Sequence, residues 1–524
     1  MASNFSLPAD YWKNLQITQQ DVESLHTHLF ELETPLTAHD LAVVFVSTRI
    51  KAERDAQAKL RQAGGKTYFP KEKYFEGDEL VFPALDWQPG KVTAVRQGVN
   101  PDIESFEVIT VSMKDGAQRM FASGLAEHVL NDENAAAAED EGLDSEVILH
   151  EFGTDIEKKL EAAFEHDEGL VKIAGRWFPR GLLVDVNEGN LNLAEAVLDM
   201  AQGEPQPVSV LLKDVELPSG VNPKLAEFSM NYALQSDGRF DEVGPAGQVL
   251  WCLRRLEPDG VREVPAFLRY SKIDYDPTAL LDSMKKLEAQ LDDELSESDA
   301  VEHKDVKEVT ISLIYPHLRA GTLPLSARTR ILFPTAYEAP RVRFSLVDAK
   351  SGLKIPGWIV RENHYVFGLR EWYKSHQLMP GSLIAVRRGQ KPGEVIIEAK
   401  TQKSAKDWIR TLIVGADGGL VFAMLKQPIT AEFNDRMAIY VSDFKVLDPL
   451  WEKKRPFEEL VISMMRELTK LTPQGHVHAQ ELYAAMNLVR RVPPAPLFAL
   501  LASQSRFVHV GDLHFRLESE NELA

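Results

Sequence analysis

Two apolar rhythms alternate along the chain. Apolar residues three and four apart, the helical period, run through 25–32, 37–50 and 51–62. They return at Ile156, Leu160, Ala163 and Phe164, and at Leu225, Phe228, Met230, Tyr232 and Leu234. A further helical face is formed by Leu280, Leu281, Met284, Leu287, Leu291 and Leu295. The last is formed by Leu482, Ala485 and Leu488, followed by the turn VPPAP and by Leu497, Leu500 and Leu501. Strict alternation broken by Gly and Pro predicts short strands at 79–82, 90–96, 106–113 and 118–122, and again through 341–400, where one short helix is expected at 369–376. The chain has no apolar run of 18 residues, so no membrane-spanning helix is expected.

One pattern is written three times. Segments 169–181 (GLVKIAGRWFPRG), 239–256 (RFDEVGPAGQVLWCLRRL) and 506–518 (RFVHVGDLHFRLE) each place alternating apolar residues around a Gly-centred turn, the signal of a β-hairpin. Each follows a helical stretch, and helices followed by a two-stranded hairpin give the outline of a winged helix-turn-helix. The three hairpins are expected to be wings of separate domains, with Ile173, Val243 and Val510 facing inward. A fourth unit is expected at the start, with the polar segment GGKTYFPKEKY in the place of a wing.

The C-terminal echo, Ala479 to Leu488 followed by the hairpin at 506–518, resembles the HARE helix-turn-helix family, whose closing hairpin reads RFV.VG...W.L. Residues 228–255 are similar, with Asp237, Arg239, Phe240, Gly244 and Trp251 on the closing motif, whereas the C-terminal copy carries Phe515 where Trp is usual. That family includes the delta subunit of bacterial RNA polymerase and modules fused to chromatin proteins and restriction enzymes. The resemblance implies a domain type and leaves the partner open. Residues 74–125, opening on Gly77-Asp78, resemble small barrels of the KOW/Tudor type. Residues 341–400, with the turn at Pro380-Gly381, resemble the pseudobarrel DNA-binding domains of plant transcription factors.

The expected fold class is α+β and multi-domain, with several winged helix-turn-helix units, a small β-barrel and a β-rich pseudobarrel. The divisions are 1–73, a winged-helix-like unit; 74–130, the small β-barrel; 131–150, an acidic, Ala-rich linker; and 151–190, a short winged unit. Then come 191–275, a HARE-like winged unit; 276–304, an amphipathic helix running into an acidic linker; 305–447, the β-rich domain; and 448–524, a second HARE-like unit.

Charge changes the picture. With 59 basic and 79 acidic residues the net charge is −20, so the nucleic-acid backbone repels the chain on average and any binding needs a local basic face. One such face is offered by Arg49, Lys51, Arg54, Lys59, Arg61, Lys66, Lys71 and Lys73, with Arg54 and Arg61 on one side of a helix. A second is offered by Arg341, Arg343, Arg361, Arg370, Lys374, Arg387, Arg388 and Lys391, interleaved with Trp358, Tyr365, Trp372 and Tyr373, of which Trp358 and Tyr365 also read as core. The phosphate contacts are assigned to Arg49, Arg54, Arg61, Lys66, Arg387 and Arg388.

Enzymatic chemistry finds little footing. Gly64-Gly65-Lys66-Thr67 is half a Walker loop with Leu60 where its first Gly belongs. Glu398-Ala399-Lys400 ends a strand as in metal-dependent nucleases, but the nearest upstream Asp is Asp348, far along the chain. His476 and His478 lack a third ligand, and the single cysteine, Cys252, lies in an apolar strand and excludes a disulfide scaffold. No catalytic residue, metal or cofactor is expected. The start, MASNFSLPADYWKN, reads as no signal peptide, and a cytoplasmic location is expected. The sequence thus points to a non-enzymatic protein of nucleic-acid transactions, DNA or RNA, most naturally in transcription. The rival is an interaction scaffold docking on a basic partner such as RNA polymerase, and a minor rival is a nuclease-linked defence protein.

Overall fold

The computed structural model describes residues 9–62, 65–85, 88–100, 105–114, 116–131, 145–215, 217–218, 220–296, 306–415, 419–453 and 455–518. The chain divides into two units: residues 1–185 with 220–229, and residues 186–219 with 230–524. The whole is α+β, with six separate sheets among the described residues. No helix among those residues is long and apolar enough to cross a membrane.

Unit 1 opens with α1 (Ala9–Lys13) and α2 (Gln19–Leu32). Thr18 and Asp21 close a reciprocal cap that satisfies the first free amides of α2. Strand β1 (Leu36–Thr37) leads into α3 (Ala38–Gln62), a single helix where two were expected, since no Gly or Pro interrupts it. There follow β2 (Lys66–Thr67), β3 (Glu79–Phe82), β4 (Gln88–Gln97), β5 (Glu107–Met113) and β6 (Gln118–Ser123), one five-stranded sheet in sequence order. Its core is Tyr68, Tyr74, Leu80, Phe82, Val92, Ile109 and Val111. Helix α4 (Ser145–Phe164) and the hairpin β7 (Leu170–Ile173) and β8 (Arg176–Pro179) complete the unit.

This arrangement corrects the division into units 1–73 and 151–190. The segment 64–74 is no wing: Lys66 and Thr67 pair in parallel with Leu80 and Val81. The wing-like hairpin lies beyond the five-stranded sheet, where β8 pairs with β1, Leu36 opposite Trp177. Leu29, Leu41, Ile156, Leu160 and Trp177 then share one core. A sheet is therefore inserted between α3 and α4 of a single parent module. The acidic linker is also shorter than 131–150, because α4 begins at Ser145; residues 132–144 lie outside those described.

Unit 2 carries α5 (Glu188–Met200), α6 (Val208–Leu211) and α7 (Pro223–Ser236), of which the residues up to Ser229 belong with unit 1. The hairpin β9 (Phe240–Glu242) and β10 (Trp251–Leu253) follows, then α8 (Asp259–Arg262) and α9 (Asp282–Leu291). Next come β11 (Glu308–Ser312), α10 (Tyr315–Ala320), β12 (Thr322–Pro324), β13 (Arg341–Asp348), β14 (Lys354–Val360), β15 (Tyr365–Phe367), α11 (Arg370–Ser375), β16 (Leu383–Arg388) and β17 (Glu394–Ala399). These strands form a seven-stranded sheet in the order β11-β16-β17-β13-β14-β15-β12, antiparallel except where β13 meets β17. The long hairpin β18 (Thr401–Val414) and β19 (Leu420–Ala431) pairs with β20 (Tyr440–Val441). The chain ends in α12 (Asp448–Glu452), α13 (Phe457–Thr469), β21 (Val477–His478), α14 (Ala479–Met486), α15 (Pro494–Ser503), β22 (Phe507–Gly511) and β23 (His514–Leu517).

The three echoed hairpins stand in three different sheets and share one register. In each module a short stretch after the first helix pairs with the second hairpin strand: Leu36 with Trp177, Gln206 with Trp251, Val477 with Phe515. Those three aromatic rings are all almost wholly buried. Phe515 thus occupies the site that Trp fills twice, which is why the apolar pattern survives the change of residue. Ile173 and Val243 are buried, whereas Val510 is 45% exposed, contrary to expectation, because β22 is irregular between His509 and Gly511.

One cluster of charges joins the pieces of unit 2. α9 ends at Asp292 in a left-handed turn, and the next two residues plunge into the interior. Arg491, fully buried, donates to Asp293 (2.5 Å), Glu294 (2.7 Å) and Asn487 (3.2 Å). Tyr483 donates to Asp293, and His317 bridges Glu294 (3.1 Å) and Thr322 (2.8 Å). Burial alone would raise the Glu294 carboxyl, but Arg491 and then His317 hold it well below the carboxylate range. Replacing Arg491 by Leu strands two buried carboxylates. Unit 2 should lose about 3–5 kcal/mol in urea unfolding, and a loss within about 1 kcal/mol would show that the cluster does not hold the unit together.

A candidate anion-binding cleft

Three of the six residues assigned to phosphate contact from sequence have partners within the chain. Arg49 pairs with Asp21 at 2.7 Å and lies over the Phe45 ring. Lys66 is exposed on β2, while the side chains of Arg54 and Arg61 lie outside those described. Arg387 sits between Glu308 and Glu398, and Arg388 donates to the Ile331 carbonyl. Both arginines of the β-rich region thus make contacts with neighbouring segments while staying at least partly exposed at the surface. Arg341 is similarly bound to Asp241 and Glu257, and Arg361 to the Ala339 carbonyl. Trp358, Tyr365 and Trp372 are core and line no groove, whereas Tyr373, also buried, forms part of the wall of the cleft described below.

The other candidates are also accounted for. Glu398 is flanked by Arg387 and Lys400, which leaves it neutralised. His476 and His478 both meet His514 edge-on, and burial, then Arg436 and His514, lowers His478 to about 4. Among the described residues no group of His, Cys, Asp or Glu is arranged to hold a metal ion. Burial, then Glu257 and Asp241, pushes the Cys252 thiol well above its usual range, away from nucleophilic use.

A concavity does gather four cations, two of them already paired. α10 begins with Pro316 in its first turn, where the missing amide costs nothing, and stops at Gly321 in a left-handed conformation (φ +73°). A Cβ at 321 would fall 2.7 Å from the Arg370 Cβ and 2.8 Å from its amide. The Gly321 carbonyl also accepts from the Leu369 amide at 2.9 Å. Glycine is therefore needed twice, for the turn and for the close approach of α11. That approach brings Arg319 of α10 beside Arg370 and Lys374, one helical turn apart on α11. α11 is anchored by Trp372, donating to Asp348 at 3.2 Å, and by Tyr373, which lines the cleft and donates to the Thr322 carbonyl at 2.6 Å.

The other wall is built from the end of β19, from β20, and from the 3-10 turn Phe444–Leu447, which is capped when Asp443 accepts from the Lys445 amide at 2.9 Å. Together they border a half-open cleft of about 870 Å³, within the size range of pockets that hold drug-sized ligands. Its apolar lining includes Leu378, Met379, Ile429 and Val441, all nearly buried. Phe267, Tyr440 and Phe444 add half-buried rings.

Arg319, Arg370, Lys374 and Lys445 line this cleft against one carboxylate, Asp448. Arg319 is fixed: it pairs with Asp448 at 2.7 Å and lies over Phe267 (4.7 Å), Phe444 (5.8 Å) and Tyr315 (5.9 Å). Lys374 pairs with Glu371 at the solvent surface, a weak contact. Arg370 and Lys445 have no ion-pair partner among the described residues. Like charges brought together without counter-charges work against folding, so a bound anion would relieve them. Asp448, the carboxylate in the lining, is already held by Arg319.

Arg370 and Lys374 belonged to a basic cluster visible in sequence. Arg319, Lys445 and Tyr440 did not stand out, because each sits alone in its own segment and only the fold assembles them. No family model matches the chain, and neither does any curated protein or solved structure.

A second group of unit 2 titrates near neutrality. Glu257 is buried beside Asp241, and burial, then Asp241, pushes it up to about 7; burial likewise raises Glu242 to about 7. Both are protonated in the fold where the unfolded chain would be ionised. Their contribution to stability is therefore complete below about 4.5 and is lost as pH rises through about 7. The urea midpoint of unit 2 should fall from pH 5 to pH 8, and Glu257→Gln should flatten that fall in part, Glu242 retaining the rest. A midpoint that rises across this interval would contradict the assignment.

Proposed function

We propose that this is a non-enzymatic, nucleic-acid-associated protein of transcription-type transactions, built on three winged-helix modules and binding nucleic acid at the cleft of unit 2. The observation that carries the reading is the convergence of Arg319, Arg370, Lys374 and Lys445 on one aromatic-lined concavity in a chain of net charge −20. Local positive charge with aromatic rings is what a nucleic-acid groove requires. The repeated order helix, short strand, two helices, hairpin, with the short strand always on the second hairpin strand, supports the module type.

The mode of binding differs from the usual one, in which the helix before the wing enters the major groove. α4 exposes Glu146, Glu151 and Asp155; α7 carries one Lys and one Glu; α15 has no charged residue and is mostly buried. None presents a basic face to phosphates. The acidic exposed side of α4 instead favours a second reading, in which the modules dock on a basic protein such as a polymerase surface.

Binding of single-stranded and duplex DNA and of RNA, followed by fluorescence anisotropy over a range of salt, separates these readings. The double variant Arg370→Glu, Lys445→Glu should weaken binding by at least about tenfold and lower the slope of log K against log salt by about two. Arg49→Ala should leave both unchanged. An unaltered slope in a folded double variant would remove the cleft. The absence of binding to every nucleic acid, with binding to purified polymerase, would establish the docking reading instead.

A further inference from the structure

A strand of phosphates lying across a protein needs charges at the surface and nothing deeper. The cleft of unit 2 has both a charged rim and an apolar interior. Arg370, Lys374 and Lys445 are exposed, whereas Leu378, Met379, Ile429 and Val441 lie beneath them and are nearly buried. A half-open cleft of 870 Å³ with such a lining suits an occupant that is apolar on one face and polar on the other.

The aromatic residues divide in the same way. Phe267 and Phe444 are engaged with Arg319, and Phe267 further meets Trp451 edge-on at 5.0 Å. Tyr440 lines the cleft half-buried, packed beside Met379 and Ile429, with no aromatic neighbour and no hydroxyl partner among the described residues. Its backbone is held by pairing with Thr411, so the ring is presented from a fixed strand. A flat π-system is the natural neighbour of such a ring.

Resting on the reading of the cleft as a nucleic-acid site, we propose that its ligand is a single unstacked nucleotide. The nucleobase enters the cleft against Tyr440, and the flanking phosphates are held by Arg370, Lys374 and Lys445. A base paired within a duplex cannot reach the interior, so the substrate class is single-stranded nucleic acid, or a base that has left its stack. The apolar interior takes the base face, and the rim takes the charge.

The test uses the full chain and three probes of equal length: a single strand, its duplex, and a fully abasic strand that keeps every phosphate. The normal single strand should bind at least about tenfold more tightly than the abasic one, the effect of stacking one base. It should also bind more tightly than the duplex at the same salt. A nucleoside 5′-monophosphate should displace it where ribose 5-phosphate and inorganic phosphate do not. Tyr440→Ala should abolish the preference for bases while leaving the salt slope unchanged, and Tyr440→Phe should restore it. Equal binding of normal and abasic strands, with a slope that still responds to Arg370→Glu, would overturn the nucleotide pocket and leave the phosphate site standing. Failure of all three probes to bind would overturn the nucleic-acid reading itself.

Discussion

Arg491 carries its charge where water does not reach, and unit 2 is organised around the need to answer it. A guanidinium buried alone would be too costly to keep, so two carboxylates must reach it, and both come from the short stretch after α9. That stretch is therefore drawn into the interior between the last helical module and the β-rich region. His317 and Tyr483 take up the remaining carboxylate oxygens, one from α10 and one from α14. Four separate parts of the chain then meet at one point. An apolar contact of the same size would tolerate sliding, but charges with directed hydrogen bonds do not.

The cleft inherits this fixity. α10 supplies His317 to the buried cluster and, two residues on, Arg319 to the cleft. The helix cannot shift without disturbing the ion cluster, so Arg319 is held from below as well as by Asp448 and the rings around it. A preorganised cation loses little freedom when a ligand arrives. Arg370 and Lys445, by contrast, are tethered only through their backbones.

Much of this architecture could be read from the chain by its local chemistry. The hairpins were legible because alternating residues and a central Gly act over a dozen positions, and the aromatic opposite the short strand is repeated as Trp177, Trp251 and Phe515. The burial of Trp358 and Tyr365 followed from their apolar alternation. Long-range pairing was not legible. Nothing near Leu36 marks Trp177 as its partner, so one interrupted module read as two. Charges misled for the same reason: Arg387 looks free until Glu308 is folded against it, and Lys445 looks ordinary until α10 and α11 close opposite.

The interruption of that first module has a consequence for how the chain is made. β1 has its partner in β8, so the parent sheet cannot close until residue 177 has been synthesised. At ordinary ribosomal rates that is a wait of roughly ten to thirty seconds. During it, β2 through β6 are complete and can close their own sheet, since each pairs with its neighbour in sequence. The insert is therefore able to fold first, within a parent that is still unfinished. Meanwhile α2 and α3 leave Leu29 and Leu41 without the partners that α4 and Trp177 later provide. A nascent chain of this kind spends its early life with an apolar face open, and it is there that a chaperone would find its longest opportunity.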